Sequence, residues 1–253
     1  MSKIISVHSF RGGTGKSNLT ANLAVTAASS RRRVGIIDTD IQSPGVHVLF
    51  GLHEGSIAHS LNDYLWGRCN IEDTACDVGA GKVDLNLDGG RLFLIPSSLN
   101  AGDIARVLRD GYDPGRLNDG IRQLMTRLNL DILFIDTHPG VNEETLLSIA
   151  MSDALVIILR PDQQDYQGTA VTVDLARRLE VPDLVLVVNK VLPIFESVAV
   201  RDQAEKTFGA PVAGVLPLCD EMVQLASGGI FCRHYPDHPF TKGVQQIARR
   251  LLG

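Results

Sequence analysis

Phe10-Arg11-Gly12-Gly13-Thr14-Gly15-Lys16-Ser17 decides how the rest of this 253-residue chain is read. An apolar run, Ile4 to Val7, precedes it, and Leu19, Leu23 and Ala27 recur at four-residue spacing after it. The order is strand, loop, helix, which is the context a phosphate-binding loop requires. Glycines at 12, 13 and 15 let successive N–H groups turn inward, and a helix beginning near Ser17 aims its positive end at the same point. A polyphosphate fits there, with Lys16 reaching its β and γ phosphates and the Ser17 hydroxyl holding the magnesium that bridges them. Thr14 and Asn18, inside the loop and just beyond it, are counted with the nucleotide-binding residues.

The common form of this loop starts with a glycine six positions before the lysine, and Phe10 occupies that position here. A basic residue followed by Gly-Gly-x-Gly-Lys-Ser resembles the deviant Walker A loop of the ParA/MinD family of ATPases. The resemblance implies ATP and Mg2+ as ligands. It also implies an α/β fold of the three-layer P-loop NTPase type, one domain over residues 1–253 with a mostly parallel central sheet flanked by helices. In that family the leading residue is a lysine that crosses a dimer interface to touch the partner's nucleotide. Arg11 stands in its place, and a planar guanidinium grips phosphate with a fork rather than a point charge.

Hydrophobic residues make up 44% and charged ones 21%, enough apolar side chain for a full core, so general disorder is not expected. The net charge of −5 argues against wrapping nucleic acid with the whole surface but leaves room for a local basic patch. No apolar run approaches the roughly 20 residues needed to span a bilayer, and Ile4 to Val7 is too short for an export segment. A cytoplasmic protein is expected. Cys69, Cys76, Cys219 and Cys232 are scattered without a C-x-x-C pair, so reduced thiols are expected rather than disulfides or a zinc ribbon.

The next strand, Val34 to Asp38, ends in Asp38-Thr39-Asp40. If the extended backbone persists, these two carboxylates face the same side, at the end of the sheet where open parallel folds bind ligands. The ParA/MinD resemblance places Asp40 in switch I, positioning the hydrolytic water. Asp38 either supports the site from the strand end or caps a turn. Arg31-Arg32-Arg33, just before this strand, is read as a cationic helix end in preference to a nucleic-acid patch. His47, His53 and His59 fall at six-residue steps that suit neither one helix face nor common metal spacing, and are read as solvated.

A second landmark is Leu130-Asp131-Ile132-Leu133-Phe134-Ile135-Asp136-Thr137-His138-Pro139-Gly140, a near-continuous apolar strand that delivers Asp136 to its end. It looks like a Walker B aspartate that holds magnesium through a water, and the D-x-x-P-G run resembles switch II of the same family. Magnesium would thus meet Ser17, Asp40 and Asp136, and the catalytic set would be Arg11, Lys16 and Asp40. His138 is read as a solvent-facing loop residue. Asn142, Glu143 and Glu144 read as a capped helix start, while Leu117, Ile121, Leu124, Met125 and Leu128 form a core stripe. Gly79 to Gly90 reads as surface loop. Pro161 to Gln164 either faces a partner subunit or forms a polar loop.

The strand Leu184 to Val188 leads into Asn189, whose amide can complement the adenine edge. By the resemblance Asn189 is the base-reading position and Pro217 walls the base. In the last helix Val244, Ile247, Ala248 and Leu251 share one face and are expected to pack on the domain. No segment follows at Gly253, so stable membrane anchoring is not expected. Cys232, His234 and His238 are read as near each other by chance rather than as metal ligands.

The function implied is a Mg-dependent ATPase whose ATP-bound form is a homodimer, a switch that positions or partitions intracellular cargo with an unidentified protein activator or adaptor. Non-specific DNA association through Arg31 to Arg33 and Arg249-Arg250 is a further expectation. The alternative is a non-hydrolysing or very slow ATP-binding adaptor. A metal-cluster carrier of the same superfamily would need the paired cysteines this sequence lacks.

Overall fold

The computed structural model describes residues 2–80 and 85–253, so part of the expected loop from Gly79 to Gly90 lies outside the described residues. In chain order the elements are β1 (Lys3–His8), α1 (Lys16–Ala28), β2 (Arg33–Asp38), α2 (Leu61–Leu65), β3 (Cys76–Asp77) and β4 (Arg91–Ile95). They continue through α3 (Ala101–Asp110), α4 (Pro114–Arg127), β5 (Ile132–Asp136), α5 (Glu143–Ala150), β6 (Ala154–Leu159) and α6 (Gln163–Arg178). The chain ends with β7 (Leu184–Val191), α7 (Ser197–Phe208), β8 (Val212–Pro217), α8 (Asp220–Leu225), α9 (Phe231–His234) and α10 (Pro239–Leu252).

The strands form one sheet in the order β3-β4-β2-β5-β1-β6-β7-β8. Every pairing is parallel except β3 with β4. Strands covered on both faces read as continuous apolar runs, as β5 and β6 do, because neither face meets water. Alternate residues build the two cores. Ile5, Val7, Ile36, Phe134 and Val156 pack with α1 and α10, whereas Ile37, Leu133 and Ile135 pack with α2 and α4. A third cluster joins Leu155, Ile157 and Leu186 to α6 and α7. The three-layer arrangement expected from the sequence is the one observed.

Register brings the chemistry together. Asp136 at the end of β5 lies level with Asp38 of β2 and with Val7 of β1, and β1 feeds directly into the glycine loop. Chain order reverses about β1, whose neighbours are β5 and β6, and such reversal points open a crevice at the carboxyl ends of strands.

The α4 stripe buries Leu117, Ile121 and Leu124 as expected, with Met125 and Leu128 only partly buried, and α10 buries Val244, Ile247, Ala248 and Leu251 against β8 and α1, also as expected. Among the described residues no helix is long and apolar enough to cross a membrane. Three expectations are corrected. Arg33 does not answer the end of α1; its Nε and Nη2 donate to Leu128 O at 2.9 and 2.7 Å, capping α4 instead. His47 is buried in a short 3-10 turn, and burial lowers its pKa, while His53 and His59 are exposed. Leu85 and Leu87, in the stretch expected to be loop, are buried in the core. Asp113 Oδ1 accepts Gly115 N–H at 2.8 Å and so caps the start of α4 at Pro114.

Candidate functional site

The glycine loop spans the gap between β1 and α1. Gly13 and Gly15 have φ values of +78° and +96°, a region where a side chain is strained, and a Cβ on Gly15 would sit 2.6 Å from Asn189 Nδ2. Gly12 needs neither property. Gly15 is also the N-cap of α1, so the first free amides of that helix point into the loop. Phe10, in place of the usual first glycine, lays its ring on α6, where Gly168 leaves room; a Cβ there would lie 2.0 Å from Phe10 Cδ1.

Lys16 folds into the crevice. Its Nζ donates to Asp136 Oδ1 at 3.0 Å and lies 4.0 Å from Asp40 Oδ2. Thr20 Oγ1 donates to the same Asp136 oxygen at 3.2 Å. One buried ammonium therefore faces three buried carboxyls, those of Asp38, Asp40 and Asp136. Burial first, and then the charge of Asp136, push the Asp38 carboxyl up to about 8, which keeps it protonated at neutral pH. Asp38 accepts Asp40 N–H at 3.0 Å and Gly45 N–H at 3.2 Å, so it shapes the loop after β2. The two carboxyls of Asp38 and Asp40 converge through this turn and not through persistent extension, since β2 ends at Asp38.

His138 is not solvent-facing. Its Nδ1–H donates to Asp40 Oδ1 at 2.7 Å. His8 is a further residue that sequence reasoning missed. Thr137 Oγ1 donates to Val7 O at 3.1 Å, so it accepts from His8 Nδ1–H at 2.8 Å, and His8 Nε2 is left buried without a hydrogen-bond partner among the described residues. Burial, then the charges of Lys16 and His138, lower the His8 pKa to about 3. Only the largely apolar stretch Ile4 to Val7, broken by Ser6, hints that the next residue is also interior.

Arg11 is exposed on the rim, and its Nη1 donates to Gln164 Oε1 in the first turn of α6. On the other side of the loop, Asn189 Nδ2 donates to Thr14 O at 2.8 Å and Lys190 Nζ to Gly13 O at 2.7 Å. Beside them opens a cavity of about 170 Å³ lined by Gly15, Asn18, Asn189, Pro217, Met222 and Phe240 among others. Its mostly apolar wall with two amides at one end suits a flat heteroaromatic ring. Of the residues expected to bind the nucleotide, Gly15, Asn18, Asn189 and Pro217 line this cavity, and Ser17 sits in the first turn of α1 beside Lys16.

The residues present fit a divalent cation. Asp136 Oδ2 is buried with no hydrogen-bond partner among the described residues, and the excess of carboxyls over ammonium leaves room for positive charge. A separate trio, Cys219, Glu221 and His238, places three donor atoms within 4.8 Å of one another. It does not suit a metal, because His238 Nδ1 accepts Phe240 N–H at 3.0 Å and so leaves the ring hydrogen on Nε2. Cys232 is not in this group.

The family model for the CobQ/CobB/MinD/ParA nucleotide binding domain matches residues 5–230. The chain is 26% identical over 254 residues to an uncharacterized ATP-binding protein of Methanocaldococcus jannaschii, covering 100% of this chain and 89% of that one. It is 28% identical to an iron-sulfur cluster carrier protein of Saccharolobus solfataricus, covering 98% and 82%. Among solved structures, the septum site-determining protein MinD of Pyrococcus horikoshii, complexed with Mg-ADP, superposes with a TM-score of 0.82 at 19% identity, covering 99% and 96%.

Proposed function

Because the chain belongs to the CobQ/CobB/MinD/ParA nucleotide binding domain family, we propose that it is a magnesium-dependent ATPase that works as an ATP-timed dimerisation switch. The convergence of Lys16, Asp40 and Asp136 beneath the amide-lined loop supports this reading. The loop amides and Lys16 would hold the phosphates, and Asn18, Asn189 and Pro217 would receive the base. Ser17 and Asp136, with Asp40 nearby, would hold Mg2+, which neutralises charge on the phosphates. Asp40 would orient the attacking water, and Lys16 would turn from Asp136 to the phosphate oxygens. Arg11, exposed on the same rim, would reach the nucleotide of a second copy. The whole chain would act as a single ATPase domain in the cytoplasm, and the switch would time the positioning or partitioning of an intracellular cargo through an activator or adaptor protein.

Relatives named as iron-sulfur carriers do not favour that role here. A cluster needs several thiolates, and the group of three metal-capable donors among the described residues holds a single cysteine. The test is light scattering of Asp40→Ala, which should bind ATP and stall before hydrolysis. We expect twice the monomer mass with MgATP and the monomer mass without it. A monomer at saturating nucleotide would sink the switch, and calorimetry without heat on ATP addition would sink the ATPase.

A further inference from the structure

We infer that His138 is the positioning residue that fixes Asp40 for hydrolysis and makes its orientation depend on the loop after β5, an inference that rests on the ATPase reading above. Asp40 Oδ1 accepts His138 Nδ1–H at 2.7 Å and Ser43 N–H at 3.2 Å. Two donors on one oxygen leave the other, Oδ2, turned toward Lys16 and the place a phosphate would take. The Ser43 bond lies within the loop that carries Asp40 and travels with it. His138 reaches in from a different element, 98 residues on.

That element is itself docked on the end of β1, just before the phosphate-binding loop. Gly140 N–H donates to Ser9 O at 3.0 Å, and Thr137 donates to Val7 O through its amide at 3.3 Å and its hydroxyl at 3.1 Å. Gly140 has a φ of +87°, so the turn that sets its amide on Ser9 is a shape other residues resist. Hydrogen bonds weaken steeply with distance and angle, so a shift of about 1 Å in this loop removes the His138 contact. His138 therefore joins the loop after β2 to the loop after β5 at the one carboxylate assigned to the water. Neither loop can take a new position without changing how Asp40 points.

The test compares His138→Ala and His138→Asn, since an Asn Nδ2 falls where His Nδ1 lies. Amide hydrogen exchange over residues 39–45 is read without nucleotide, and single-turnover phosphate release is read at saturating MgATP. In His138→Ala, exchange should quicken on the order of tenfold and turnover should fall about tenfold to a hundredfold, the range for losing a hydrogen bond to a charged group. ATP affinity should stay within about twofold, because only the hydrolytic step is touched. His138→Asn should restore both readouts, and Asp40→Ala/His138→Ala should turn over no more slowly than Asp40→Ala. Unchanged exchange in His138→Ala, or His138→Asn as impaired as His138→Ala, would overturn the inference. A wild type that releases no phosphate would remove the ATPase reading, while the exchange measurement would still decide for or against the latch.

Discussion

At the residue scale, two buried groups with opposed titrations shape the stability of the nucleotide-free protein. His8, lowered to about 3 by burial, is neutral when folded. Its contribution is whole above pH 6.5 and is lost as pH falls toward 3, because the unfolded chain takes up the proton first. Asp38, raised to about 8 by burial and Asp136, behaves in reverse. Its contribution is whole below pH 3.8 and is lost as pH rises toward 8. Between pH 3.8 and 6.5 the two slopes, each about 1.4 kcal/mol per pH unit, nearly cancel. From pH 6.5 to 8 Asp38 alone of the two acts, so stability should fall over that interval. Urea unfolding without magnesium or nucleotide reads this directly. Asp38→Asn should flatten the decline above pH 6.5 and uncover the His8 limb below it. A wild-type midpoint that rises from pH 6.5 to 8 would contradict the protonated Asp38.

At the scale of elements, the strand, glycine loop and helix at residues 3–28 were legible because all three carry local signals: an apolar run, glycines, and a four-residue repeat. The β5 strand and the Asn142 cap were legible for the same reason. What escaped is contact between distant segments. The D-x-x-P-G run placed His138 on a loop, but nothing local says that its ring turns inward to Asp40. Nor does helix propensity reveal why α6 carries Gly168 in its interior. The Phe10 ring fills the space a Cβ would take, and this fixes the start of the phosphate loop on α6. Gly→Ala inside a helix ordinarily stabilises by about 0.5–1 kcal/mol. Gly168→Ala should do the opposite, lowering the unfolding midpoint and weakening ATP binding as Phe10 is displaced. Thermal melts with and without MgATP check both, and a stabilised variant would mean that the ring is free to move.

At the scale of the whole molecule, the cavity beside Asn189 and the Arg11 side chain share the face formed by the carboxyl ends of the strands, so in the proposed dimer one approach of a second copy would engage both. Within a single chain Arg11 does little. Its side chain is exposed, donates to the neutral amide of Gln164 and acts on Asp165 through charge alone, so Arg11→Ala should change stability by less than about 0.5 kcal/mol. In a two-fold dimer the same contact occurs twice, and each guanidinium lost from a phosphate costs about 1.5–3 kcal/mol. Arg11→Ala should therefore weaken dimerisation at least on the order of a hundredfold, with ATP affinity of the monomer within about twofold. Sedimentation equilibrium at saturating MgATP, beside calorimetry below the dimerisation range, separates the two quantities. Gln164→Ala supplies the control: it removes the hydrogen bond that Arg11 makes within its own chain and should leave the dimer as strong as wild type or stronger. If Arg11→Ala reduces nucleotide affinity and dimerisation equally, the guanidinium serves the phosphates of its own subunit and the face-to-face geometry must be drawn differently.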